Sequence, residues 1–212
     1  MDSAPLAIVG LFRDSQTMTV SPEMSDRREQ LLAVAQDMML ETGSPHFSMA
    51  DLAARLGVSR PLVYAYYDST ELVVDELFRS QIHRLIALHD NIAGTEPDFA
   101  SRMQAIFRAY LEHSIDEGLV ALIALRERGA DSPLGDESRG LFQQLLRKLA
   151  ADVVRNLAMS PREAFVLLEL QAAIPESLAR LVRSKKISRS TARETCDQLV
   201  AASFKVLTEL PD

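Results

Sequence analysis

From Ser25 almost to the end of the chain, apolar residues return every three or four positions, and no stretch reads convincingly as a strand. That period, interrupted by Gly, Pro and capping residues, restricts the chain to an all-α fold of about nine helices. Leu31, Leu32, Ala35, Met38 and Met39 set a first helix from about Asp26 to Thr42, and Gly43 stops it. Ser48 opens a short second helix with Asp51 as its capping-box partner, and Gly57 ends it. Ser59 caps a third, with Pro61 in its first turn, where a missing N–H removes no bond. Asp68 or Ser69 opens a long fourth helix, whose apolar face runs from Val73 to Ile92 before Gly94.

The remaining boundaries are equally marked. Thr95 and Pro97 start a fifth helix, through about Asp116, and Gly118 to Arg128 is a shorter sixth. Ser132 and Pro133 introduce a seventh, through about Leu157. Ser160, Pro161 and Glu163 form the clearest start signal, for an eighth helix toward Ser184 that Pro175 should kink. Ser188 or Ser190 begins a ninth, ending near Leu210. Residues 1–24 show no sustained period and read as a flexible arm.

Composition narrows the function. The single cysteine, Cys196, cannot close an intramolecular disulfide and fits a reducing compartment. The apolar run Leu6 to Phe12 has no basic segment before it, and no run reaches membrane-spanning length. The expectation is a cytoplasmic protein with no membrane partner. A net charge of −7 gives no overall attraction to nucleic acid. All four lysines lie at Lys148 or beyond, so earlier residues can meet a phosphate only through Arg, a helix N-terminus or neutral donors.

Residues 48–72, SMADLAARLGVSRPLVYAYYDSTEL, place two short helices around the turn Leu56-Gly57-Val58-Ser59. This suits a helix-turn-helix, whose second helix can enter the DNA major groove, but structural helical hairpins carry the same local signals. A wider pattern is more specific. Leu31-Leu32, Gly43, Ser48, Gly57-Val58-Ser59, Tyr64 with Tyr66, and Tyr67 with Ser69 lie within residues 28–72, a span of 45 residues without a gap. Over that span the chain resembles the N-terminal domain of TetR-family transcriptional repressors.

The resemblance implies a DNA-binding helix-turn-helix at 25–70 and a helical ligand-binding and dimerisation domain at 71–212. Arg60, Pro61, Leu62, Ala65 and Tyr66 would then face the groove, with Arg60 reading a guanine edge and Leu62 touching a thymine methyl. Ser48 would hold a phosphate through its hydroxyl and backbone N–H, with Ser59 at the head of the reading helix. Tyr64 is expected in the small domain's core, and Tyr66 at a phosphate. The family usually carries Lys in the first turn of helix four, where this chain has Thr70. Residues 26–72 hold four arginines against seven carboxylates, a local charge of −3, which predicts few phosphate contacts and a shallow salt dependence.

By the same resemblance, helices five to seven enclose a small-molecule effector, and helices eight and nine pair two copies over a palindromic operator. Met103, Phe107, Tyr110 and His113 on helix five, Phe142 on helix seven, and Phe165 and Glu169 on helix eight are the candidate lining. An apolar stripe at helical spacing is also what any bundle core requires. Leu199, Val200, Ser203, Phe204 and Leu207, with Ala201 and Ala202, offer a seam on helix nine. The basic run Arg180, Arg183, Lys185, Lys186, Arg189 and Arg193 complements the dipole at the end of helix eight.

Two rival classes remain. An enzyme has little support: His46, His83, His89 and His113 lack paired metal spacing, no Gly-rich phosphate loop exists, and no cofactor or metal is implied. A helical adaptor whose helix-turn-helix has lost DNA affinity fits the acidic head and Thr70.

Overall fold

The computed structural model describes residues 22–127 and 132–209. Residues 1–21 of the expected arm lie outside them. Among the described residues there are nine helices and no strand: α1 (Pro22–Thr42), α2 (Met49–Leu56), α3 (Arg60–Tyr64), α4 (Thr70–Thr95), α5 (Phe99–Asp116), α6 (Val120–Arg126), α7 (Asp136–Leu157), α8 (Pro161–Arg183) and α9 (Arg189–Glu209). No described helix is long and apolar enough to cross a membrane.

Most boundaries follow from local chemistry. Ser48 and Asp51 form the expected capping box on α2, and Ser160 and Glu163 form another on α8. Gly57, at φ 72°, ends α2 by sending its N–H to the Ala54 carbonyl while Val58 N–H reaches that of Ala53. Three helix starts differ most from expectation, while α6 is two residues shorter at each end and α4 runs through Gly94. α1 begins four residues early, at Pro22, a first-turn position where proline removes no hydrogen bond. α5 begins at Phe99, because Asp98 accepts the Ser101 N–H at 2.8 Å. α7 begins at Asp136 rather than at Ser132 or Pro133. There Pro133 and Leu134 are buried, and Gly135 N–H donates to Asp75 Oδ1 of α4 at 2.8 Å. Pro175 lies buried inside α8.

Two apolar cores hold the helices. The first joins Leu31, Ala35 and Met39 of α1 to Leu52, Val63, Val74 and Phe78, and continues into Val120 and Ile123 of α6 and Leu145 of α7. It therefore does not stop at the junction between the small N-terminal helices and the rest. The second packs α5 between α8 and α9. Phe204 meets Phe99 edge-on at 5.5 Å and stacks on Phe107 at 6.1 Å, with Val200 and Cys196 beside it.

A buried ion pair fixes α5 to α7. Arg102 Nε donates to Asp152 Oδ2 at 2.7 Å and its Nη2 to Oδ1 at 3.0 Å, while Nη1 donates to the carbonyls of Glu96 and Pro97. The same guanidinium thus closes the turn between α4 and α5.

Candidate nucleic-acid interface

α3 is held by one side chain. Val63 is fully buried, and Tyr67 and Tyr66, four and three residues on, join it on the inner face, Tyr67 almost completely and Tyr66 in part. The outer face is Arg60, Pro61, Leu62, Tyr64 and Ala65, with Ser59 exposed ahead of them. Tyr64 is 52% exposed and Leu62 37%. The placements expected for two tyrosines therefore exchange. Tyr64 does not enter the core, because it lies one residue from Val63 and helical spacing turns it outward; Tyr66 is the one that packs.

The helix N-termini around α3 carry their own carboxylates. The Ser48 hydroxyl donates to Asp51 Oδ2 at 2.6 Å, and the Ser48 N–H donates to the same oxygen at 3.3 Å. Both donors expected for a phosphate are thus committed to Asp51. At the start of α4, Ser69 acts on the Glu71 carboxylate and holds it below its ordinary range, with its own backbone amide and Thr70 adding to the effect.

Two of the four head arginines are bound to carboxylates, and Arg27 donates to Gln30 Oε1 at 2.8 Å. Arg55 is bound to both carboxylate oxygens of Glu41. Arg28 donates to Glu76 at 2.9 Å and to the Tyr67 hydroxyl at 3.1 Å, with its guanidinium 5.3 Å from the Tyr67 ring centre. Burial, together with Glu76, pushes the Tyr67 phenol up to about 12, so it remains a neutral donor. Arg28 therefore ties α1 to α4 across the α3–α4 turn. Arg60 stands exposed at the first position of α3.

Residues 31–77 match the family described as "Bacterial regulatory proteins, tetR family". That stretch is a TetR-type N-terminal domain. The HTH-type transcriptional repressor KstR2 of Mycobacterium tuberculosis is 30% identical over 93 residues, which cover 44% of this chain and 46% of that protein. The chain thus spans about half the length of that relative. The fold likeness runs further. A transcriptional regulator from Rhodococcus sp. Rha1 superposes with TM-score 0.65 at 19% identity, covering 87% of this chain and 99% of the other. A TetR transcriptional regulator from Legionella pneumophila gives 0.63 at 16% identity, over 88% and 99%.

Beyond this TetR-type head, the candidate effector residues scatter. Met103 and Phe107 are buried in the second core, whereas Phe142 packs edge-on against Phe78 at 6.1 Å in the first. Phe165 is 47% exposed, and Glu169 is exposed beside it, so neither lines an interior site. Helix eight carries two apolar faces, and these residues lie on the outer one. Val200 and Phe204 likewise belong to the core rather than to an outward seam, because α9 turns that face to α5.

Of the candidate residues, Tyr110 meets a polar side chain of α8. Tyr110 donates to Glu176 Oε1 at 3.1 Å, and burial holds both groups above their ordinary pKa ranges. His113 is pushed down by burial, and its Nε2 and Gln171 Oε1 are buried without a hydrogen-bond partner among the described residues. Glu176 and Gln171 were not singled out from the sequence; an acidic residue directly after the in-helix Pro175 was the available signal. In the basic run, Arg189 and Arg193 bind Glu112 of α5, and Arg189 also binds Asp116.

Proposed function

We propose that this protein is a dimeric transcriptional repressor that reads a palindromic operator with α3 and leaves it when a small-molecule effector binds. The observation that carries the reading is the orientation of α3. A helix of five residues buries Val63 and presents Arg60, Pro61, Leu62, Tyr64 and Ala65 to solvent, within the stretch that matches the TetR family. Arg60 takes the guanine edge, Leu62 a thymine methyl, and Tyr64 replaces Tyr66 as the exposed phenol available to DNA. Residues 25–70 form the reading head, and 71–212 sense and pair.

The pairing surface is the outer face of α8 and α9. Phe165, Val166, Leu170, Leu199 and Val206 are between 47% and 65% exposed, a set of large apolar side chains that water does not favour. A two-fold axis there sets two copies of α3 about one DNA turn apart, or a multiple of it. The effector is assigned to the Tyr110–Glu176 pair between α5 and α8, with the unpartnered His113 Nε2 and Gln171 Oε1 on the same two helices. An effector that prefers the off-DNA conformation shifts the population away from the operator.

A second reading, an adaptor without DNA affinity, is favoured by the carboxylates of Asp51 and Glu71 at the N-termini of α2 and α4. Affinity selection from sheared genomic DNA separates the two. Repeated recovery of one short inverted repeat supports the repressor, whereas fragments with no shared sequence leave the adaptor.

A further inference from the structure

A second concave site lies where the head meets the body. The C-terminal part of α1, the start and length of α6, and the end of α8 enclose a cleft of about 750 Å³. That volume falls in the range of small-molecule sites, roughly 300–1,000 Å³. Leu40, Leu119 and Leu122 are part-buried along it and give it an apolar wall. Arg126, Arg180 and Arg183 stand exposed around its opposite side.

The charges are unequal in availability. On the α1 side the cleft has Asp37 and Glu41, but Glu41 is bound to Arg55, and Asp37 faces the same guanidinium. On the α8 side Arg180 donates to the Ser177 hydroxyl and Arg183 to the Ile115 carbonyl, both at 2.9 Å and both neutral. Glu176 faces Arg126 and Arg180 from behind, and its burial favours the uncharged acid. Among the described residues the cleft therefore combines arginines that no carboxylate binds with an apolar wall. This is a different place from the Tyr110–Glu176 strip and needs no DNA to be occupied.

We propose that this cleft binds an organic carboxylate with an apolar tail, the arginines of α6 and α8 taking the carboxylate and Leu40, Leu119 and Leu122 the tail. Guanidinium groups suit carboxylates because their planar forks donate two parallel charge-assisted hydrogen bonds. The occupant touches α1, which belongs to the head, and α6 and α8, which belong to the body. It thus braces one against the other.

The test uses decanoate as the probe, titrated by calorimetry into the full chain below its micelle concentration. Saturable binding of decanoate, with 1-decanol and acetate each roughly tenfold weaker or more, is the expected result. The double variant Arg126→Gln/Arg180→Gln, checked for folding by circular dichroism, should lose roughly tenfold or more in affinity. Arg147→Gln, which removes an exposed guanidinium of α7 outside the cleft, should bind decanoate as the wild type does. The proposal is overturned by absent binding, by equal binding of 1-decanol, by an unchanged double variant, or by an equal loss in Arg147→Gln. None of these readouts depends on DNA, so the repressor reading stands or falls separately.

Discussion

Substituting Leu170→Asp tests the pairing surface with a magnitude that the protomer supplies. Leu170 is 65% exposed on α8, the most open of the large apolar side chains on that face. Fully burying a leucine contributes about 1.5–3 kcal/mol, so covering the exposed two-thirds contributes about 1–2 kcal/mol. A two-fold axis uses the residue twice, giving about 2–4 kcal/mol per dimer. At 1.4 kcal/mol per tenfold, the dimer should weaken by roughly 30- to 700-fold, before any cost of desolvating two carboxylates. Sedimentation velocity across a concentration series measures this directly. Leu88→Asp on α4, also exposed but away from the α8–α9 face, is the control and should leave the dimer intact. A Leu170→Asp protein that dimerises as tightly as the wild type refutes the assignment of this face. So does a wild-type chain that stays monomeric throughout.

Asp152→Ala leaves the Arg102 charge buried without its partner and should cost about 3–5 kcal/mol in urea unfolding, while a double change to Leu and Met should recover much of it. Burial alone would raise the Asp152 pKa, but hydrogen bonds from Arg102 and Arg155 outweigh it and hold the carboxyl below its usual range. Its contribution is therefore present above the unfolded value of about 3.9 and is lost as pH falls through the lower folded value, which acid titration of stability should reveal. Gly57→Ala forces a side chain into φ 72° and should lower stability by about 1 kcal/mol by thermal unfolding, with nothing nearby to clash. Cys196 is buried, its thiol pushed up to about 11 by desolvation, so a thiol reagent should label it only on unfolding. With Arg28 and Arg55 occupied by carboxylates, operator affinity should fall with salt at a log–log slope of only about −2 to −4 per dimer.

What could be read in advance was whatever is decided within one turn of chain. The capping boxes at Ser48 and Ser160 and the stops at Gly43 and Gly57 are local hydrogen-bonding and backbone facts, and the helices begin and end there. α7 started late because its boundary depends on Asp75, some sixty residues away, which no local pattern contains. The outward turn of Tyr64 and the packing of Tyr66 follow from their spacing to the buried Val63. Phe165 and Glu169 illustrate a deeper limit. Period three to four says that a helix has an apolar face, but α8 has one face against α5 and another open to solvent, and only packing distinguishes them. Arg102 and Asp152, fifty residues apart, carry no joint signal in a single sequence.

If α3 reads bases, selection from a random double-stranded DNA library will show it. The wild type should enrich a palindrome with half-sites about one turn apart, or a multiple of it. Arg60→Ala should relax one position in each half-site while leaving the dimer and its fold unchanged. A folded dimer that enriches no sequence even at low salt would mean that α3 is an exposed helix with no DNA to read.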